Sequence, residues 1–462
     1  MPLPESVQPT RMQRIALVAP ADALRETLVS VAAAGVVDLD RPDRPEVAAG
    51  GPVCVPVLAA TRPDPAELDR AGRADLLAGE AELDEVASSA IRRGSAAALA
   101  GWCPVPAVPA LAARLAEAGT AVVPMPPPRG IDPPTVLRPG GTVRRSFRPL
   151  ISTYGTVPYP DVDPTLLAGV AYVLMFGMMF GDAGHGLLLI VVGALLWAGR
   201  PRMLARWRAA WPFVAGAGAA SAGFGLLYGE FFGPTGVVPV LWLAPLDDPV
   251  RLLVAGVGVG AVLLAAAYAV AIVNRWREGG PQLALYASSG IAGAAVFLGL
   301  GGVSAGIFLG SLTVLVAGCV IGAAGLVLAG IGFKVGAGGG GAGVAQSAVE
   351  LFDVIVRIGT NLISFARLAA FGLVHAALGS LVWDGTAGLW RPGGFLAVLA
   401  VVVFLLGNAL SFALESLIAA IQALRLAFYE LFSRIFETQG RPYRPWSFRV
   451  EATDPPTPLE SP

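Results

Sequence analysis

Two arginines carry the first chemical clue. Arg367 lies in NLISFARLAAFGLVHAAL, a run otherwise apolar enough to cross a bilayer. Its guanidinium keeps its charge, because its pKa stays above about 12. At the bilayer centre such a group costs at least ~2.5–3.5 kcal/mol on insertion scales. Arg425 sits in a second long apolar stretch. Two permanent cations at membrane depth point to a protein that handles ions or protons.

Spacing gathers other polar residues around them. Asn408, Ser411, Glu415, Gln422 and Arg425 recur at helical intervals and read as one helix face. Thr360, Ser364, Arg367 and His375 form a second, broader stripe. On regular helices His375 lies about 12 Å along from Arg367, and Glu415 about 15 Å from Arg425. This reads as two polar half-pathways meeting at a cationic plug. A partner carboxylate arriving from lipid is neutral, because burial raises its pKa, and ionises beside a fixed guanidinium. The arginines also repel a hydronium moving straight through. Taken singly, the residues keep plainer readings. A lone intramembrane arginine can pair structurally, and His375 can be a hydrogen-bonded packing residue. Glu415 suits a counter-ion or a proton relay. Arg357 and Arg434, near helix ends, read as snorkelling anchors.

A third polar group comes earlier. FGMMFGDAGHG sets Asp182 and His185 at a Gly-rich break between two apolar runs, and GLLYGEFFG sets Glu230 at the outer end of the next. Either these residues form a helix-end network or they contribute to the outer pathway.

Composition bounds the class. Of 462 residues, 55% are hydrophobic and only 14% charged, against about a quarter charged in soluble domains. The fold class expected is an α-helical polytopic membrane domain with an N-terminal α/β cytoplasmic domain. The net charge of −1 gives no nucleic-acid signal. Cys54, Cys103 and Cys319 are too scattered for a disulfide framework or metal knuckle. His185 and His375 are the only histidines, and there is no HExxH. Lys334, the single lysine, is followed by Val335, so no Walker A loop exists. No cofactor, metal or nucleotide chemistry is therefore expected. The polar N-terminus lacks a signal-peptide core. GAGGGGAG at 336–343 reads as a flexible linker.

Charge density drops near residue 165. The domains expected are a cytoplasmic arm at 1–160, a membrane domain at 161–438 and a cytoplasmic tail at 439–462. In the arm, MQRIALVAP reads as a strand, ADALRETLVSVAAAG as a helix ending at Gly35, and VVDLD as a strand. Residues 64–99 read as helical. GWCPV, VPALAARLAEAG and TAVVPM then give strand, helix and strand. That suggests two small βαβ-like lobes joined by helix, with a Pro-rich extended linker at 126–164.

About eight spans follow at ~20 residues each: 165–180, 184–199, 210–232, 250–273, 283–301, 304–332, 355–383 and 394–437. Basic residues at 200–208, 274–278, 333–350 and in the tail then share one side with the N-terminus. Both termini are expected in the cytoplasm of a multi-pass cell-membrane protein. The last two spans would extend about 43 and 65 Å against a hydrocarbon core of ~30 Å, so they must tilt or run beyond it.

Several strings, in order, resemble the membrane subunit a, or subunit I, of V-type and V/A-type rotary ATPases. They are YGTVPYPDVDPT, FGMMFGDAGHGLLL, GLLYGEFFG, SFARLAAFGLVHAAL and LESLIAAIQALRLAFYELFSRIFETQGRPYRPWSF. The likeness covers about 145–450 strongly and reaches MQRIALVAP and GWCPVPAVPALAARLAEAG. It implies that Arg367 and Arg425 are the two interface arginines. Glu415, His375, Ser364 and Gln422 match polar half-channel positions. It also implies a non-catalytic stator moving protons or sodium ions against a proteolipid ring. Further partners would be peripheral stalks, a central-stalk cap complex and membrane lipid. The arm departs from the family in its short helical segment. The rival readings are an ion-coupled secondary transporter, whose inverted repeats are not evident here, and a structural scaffold.

Overall fold

The computed structural model describes residues 8–40, 55–138, 140–336, 340–436 and 439–451. Cys54, the centre of the glycine run and the end of the tail lie outside the described residues. Two compact units result, Pro9–Arg138 with Gly440–Pro462, and Met1–Gln8 with Pro139–Gln439.

The first unit is an α/β sandwich. Its elements are β1 (Met12–Pro20), α1 (Leu24–Ala34), β2 (Asp38–Leu39), β3 (Val57–Ala59), α2 (Pro65–Arg70), α3 (Ala74–Ser88), β4 (Ile91–Arg93), β5 (Ala96–Pro104), α4 (Val108–Ala116), β6 (Ala121–Met125) and β7 (Arg449–Glu451). Gly35 ends α1 in the left-handed region, with φ 59°. The Asp64 side chain caps α2 by accepting from the Ala66 N–H.

The expected pair of lobes is corrected. The strands run β2-β5-β1-β6 in one antiparallel sheet. The two βαβ units interleave, because β1 pairs with β5 from Met12↔Pro104 to Pro20↔Ala96. Ile15 and Leu17 from β1, Leu28 and Val31 from α1, and Leu111 and Leu115 from α4 therefore share one core. The helical reading of 64–99 holds to Ser88 and fails beyond it. The alanines at 96–98 and Ala100 are claimed by the β1 ladder, which outweighs their helical preference. The segment after 439 returns to this unit. β7 pairs in parallel with β3, Trp446 is buried in the core, and Arg73 bonds both Asp75 and Glu451.

The second unit is helical. It opens with α5 (Thr142–Tyr154), inside the stretch read as an extended linker. Phe147, Leu150 and Ile151 bury one face of that helix, which is why it forms. Next come α6 (Thr165–Met179), α7 (Ala183–Ala198), α8 (Trp211–Tyr228), α9 (Pro249–Tyr286), α10 (Ile291–Leu309), α11 (Leu312–Gly336), α12 (Gly340–Ser364), α13 (Ala366–Trp390) and α14 (Phe395–Leu426). Among the described residues, six helical stretches are long and apolar enough to span a membrane, and α6 and α7 are shorter apolar helices. The chain is a polytopic membrane protein with a strand-containing N-terminal unit.

Two span boundaries move by eight residues. The helices expected at 283 and 304 begin at Ile291 and Leu312. The preceding helix, α9, runs on to Tyr286 through a bend at Gly279 and Gly280. The next turn is at Gly310, φ 64°, not in the glycines near 301. Those glycines instead let α10 and α11 pack backbone to backbone, Gly302 against Gly318. The long span expected at 355–383 is two helices, α12 and α13, interrupted at Phe365.

One buried acid ties α9 to the entry of α6. Asp161 is fully buried, with Glu278, Arg275 and Arg277 nearby, and Val162 N–H donates to Asn274 Oδ1 on α9 at 3.0 Å. Burial pushes the Asp161 carboxyl from 3.8 up to about 8, and the Glu278 carboxylate adds to this against the two arginines. A raised folded-state pKa means that the contribution to stability is full below the unfolded value and is lost as pH rises through the folded one. Asp161→Asn removes that titration. The melting temperature of the wild type should therefore fall relative to Asp161→Asn between pH 5 and 8. Scanning fluorimetry of both proteins in detergent checks this; a constant gap would contradict it.

Candidate functional site

The sequence-selected residues fall into two groups along α13 and α14. The first is buried. Asp182 caps α7, its Oδ1 accepting from His185 N–H at 2.8 Å. Its Oδ2 accepts from Gly233 N–H at 2.9 Å, just beyond α8. Ala183 N–H donates to the Glu230 carbonyl at 2.9 Å. The α6–α7 break and the end of α8 are thereby locked together. Gly225 makes this possible, because its bare backbone lies against Asp182 and Ala183.

This corner meets α13 and α14. His375 Nδ1 hydrogen-bonds Glu415 Oε2. The His185 and His375 rings lie 5.8 Å apart, and Phe180 packs on both at 5.5 and 4.9 Å. Asp182, His185, Glu230, His375 and Glu415 are all at least nine-tenths buried. Asp182, His185 and Glu230 form a helix-end network that also reaches His375 and Glu415. A cavity of about 220 Å³ between α13 and α14 reaches this pair and is lined also by Val374, Leu378, Leu410 and Ser411. Such a set can accept, hold and pass protons between imidazole and carboxylate.

The second group surrounds the arginines. Phe365 is fully buried, with its ring against Gly260 of α9. Around it the backbone tightens, Phe365 N–H donating to the Leu362 carbonyl and Leu368 N–H to the Phe365 carbonyl. Arg367 therefore starts α13, while Thr360 and Ser364 belong to α12. The expected single stripe is split there. Arg367 is half-buried, and its Nη1 is buried without a hydrogen-bond partner. Arg425 is exposed and close enough to interact electrostatically with Arg367. The α14 stripe also winds: Glu415 faces inward and Arg425 outward. Ten residues at 3.6 per turn rotate the face by roughly 80°. Gln422 is half-buried, with its Oε1 enclosed and unpartnered.

Periodicity missed Glu430. It is buried, beside Ser364, and interacts electrostatically with both arginines. At 3.6 residues per turn it would fall roughly 140° from Arg425. The chain from Ala427 to Phe432 is π-helical, and the wider turn brings the fifth residue back toward the arginine. Arg434 corrects another expectation. It is buried over the Tyr268 ring at 5.7 Å and reaches Asn361 at 3.2 Å, so it does not snorkel. Arg357 is exposed and paired with Asp353.

Residues 89–214 match the V-type ATPase 116kDa subunit family. The A-type ATP synthase subunit I of Aeropyrum pernix is 28% identical over 370 residues, 69% of this chain and 51% of the relative. That of Archaeoglobus fulgidus is 28% identical over 412 residues, 75% and 58% of the two chains. A V-type ATP synthase subunit I of Treponema pallidum reaches 42% over 117 residues, 25% of each. These matches make the chain similar to the subunit I proteins of A-type and V-type ATP synthases. It spans about half the length of the curated relatives it matches.

The close fit of Phe365 to α9 sets where Arg367 emerges. A Cβ at position 260 would overlap the Phe365 ring. Gly260→Ala should cost about 1–3 kcal/mol of stability, the usual range for overpacking a tight core. Phe365→Leu in the same background should recover part of it. Thermal melts of the single and double variants check this, and additive losses would contradict it.

Proposed function

We propose that this chain is the membrane stator subunit of a rotary A-type or V-type ATPase. The similar proteins are subunits I of A-type ATP synthases, which supports this reading. In this reading it breaks no bond itself and provides two half-pathways for protons or sodium ions. Eight spans, counting α6 and α7, keep both ends on the cytoplasmic side. The α6–α7 break and the end of α8 then lie toward the outside, with His375 and Glu415. Asp182, His185, Glu230, His375 and Glu415 form the outer half-pathway. Ser364, Gln422 and Glu430 belong to the inner one, and Arg367 and Arg425 separate them.

One observation carries the reading. Arg425 is exposed on a long helix, Phe395–Ile435, in which an apolar run of 18 residues is only 6% buried within the chain. The corresponding run in Pro249–Tyr286 is 39% buried. A permanent cation on an uncovered apolar helix needs a partner that supplies negative charge. A ring of proteolipids, each with one carboxyl, meets that need. Each carboxyl crosses lipid neutral and ionises beside the arginines. The first unit would bind peripheral stalks and contact the central-stalk cap, through an arm whose described residues hold helices α2 and α3 between its βαβ halves. A secondary transporter is not favoured, because no inverted repeat of the α13–α14 pair is evident and the relatives are synthase subunits.

Arg367→Ala should abolish ATP-driven ion pumping in vesicles reconstituted with the whole complex. Arg425→Ala should impair it less completely, because one cation still biases the ring carboxyl. Normal coupled pumping by Arg367→Ala would refute the stator reading. Equal, complete loss in both would refute the ranking.

A further inference from the structure

We infer that Asp182, His185 and His375 form a binding site for one divalent transition-metal ion of the Zn²⁺ class. They are the one such group found among the described residues, with a ligand atom from each within 4.8 Å of the others. Nitrogen and carboxylate donors suit that class of ion. All three side chains are more than nine-tenths buried.

A second observation points at a missing ligand. Neither ring nitrogen of His185 makes a hydrogen bond of normal geometry, although the residue is only 2% exposed. Its Nδ1 lies 3.6 Å from Asp182 Oδ1, and the Asn408 carbonyl adds only a weak contact. A buried imidazole is ordinarily satisfied, so both idle nitrogens call for a partner. Oε2 of Glu230 and Oε1 of Glu415 are buried without partners too. Three carboxylates thus meet two histidines here, and no arginine or lysine bonds them.

The surroundings are already arranged for coordination. Glu415 takes His375 Nδ1, which leaves Nε2 to ligate. Carboxylate–histidine pairs of this kind orient metal-bound imidazoles. Gly233 N–H and the α7 cap fix Asp182. Tetrahedral zinc with bonds of about 2.0–2.1 Å requires ligand atoms about 3.3 Å apart, so each must close in by around an ångström. A fourth position stays open to water. The cavity between α13 and α14 reaches His375 and offers a route in.

The site stands on geometry alone, while its consequence rests on the half-pathway reading. An ion held by His375 and Asp182 takes atoms that the outer pathway would use, so Zn²⁺ should block it reversibly.

Binding is measured on the purified full-length chain in detergent, with Zn²⁺ alone, by equilibrium dialysis and zinc-edge X-ray absorption. The expected result is one ion per chain with a nitrogen and oxygen shell showing imidazole scattering. His185→Gln and Asp182→Asn should each weaken it at least about tenfold. A sulfur shell, or unchanged binding in both variants, overturns the site. The wild-type spectrum keeps the test valid if a variant does not fold. Pumping by reconstituted complex with Zn²⁺ added on the outer side separates the two readings. Bound zinc with undiminished pumping upholds the site and sinks the outer pathway. No bound zinc, with pumping lost in His375→Gln, does the reverse.

Discussion

A guanidinium in an apolar helix must be neutralised by something, and this chain supplies little. Arg367 is partly buried, with one nitrogen enclosed without a hydrogen-bond partner. Arg425 is exposed on α14. Glu430 is the described carboxylate whose charge both arginines feel. Much of the second unit follows from holding these cations at a fixed place without satisfying them. Phe365 seated against Gly260 ends α12 and aims the start of α13. Tyr172 Oη donates to the Ala420 carbonyl at 3.2 Å and pins α14 to α6. Asn274 holds the end of that long helix through the Ile435 carbonyl.

The opposite problem is solved about two turns away. There the chain concentrates carboxylates and imidazoles and encloses them with Phe180, Phe232 and Phe412. Burial makes each polar contact strong and each missing one costly. Locking the α6–α7 break to the end of α8 uses backbone groups that an apolar setting would otherwise leave bare. The same bonds present Asp182 and His185 to α13. Structural capping and candidate chemistry are here the same hydrogen bonds.

The soluble unit shows how a local reading can be right while its assembly is wrong. Most strands and helices of the two βαβ segments are legible from alternation and from Gly35, though the first half of β5 reads as helix. Their interleaving was not, because β1 pairs with β5 across about eighty residues of chain. The failure of the helical reading beyond Ser88 has the same origin: alanines carry weak preferences that a long ladder overrides.

Charge and period are properties of short stretches, so the sequence by itself determined that Arg367, His375, Glu415 and Arg425 lie in apolar helices at helical spacing. It also set their order along those helices, because rise per residue is nearly constant. Which of them are enclosed, and by what, depends on distant chain. Only the tertiary structure decided that Asp182, His185 and Glu230 gather at His375 and Glu415. It also decided that Phe365 breaks the arginine helix and that π-helical turns return Glu430 to the arginines. The 3.6-residue repeat holds only while the helix is regular, and packing at Phe365 and the widened turn after Leu426 break it where the polar residues cluster.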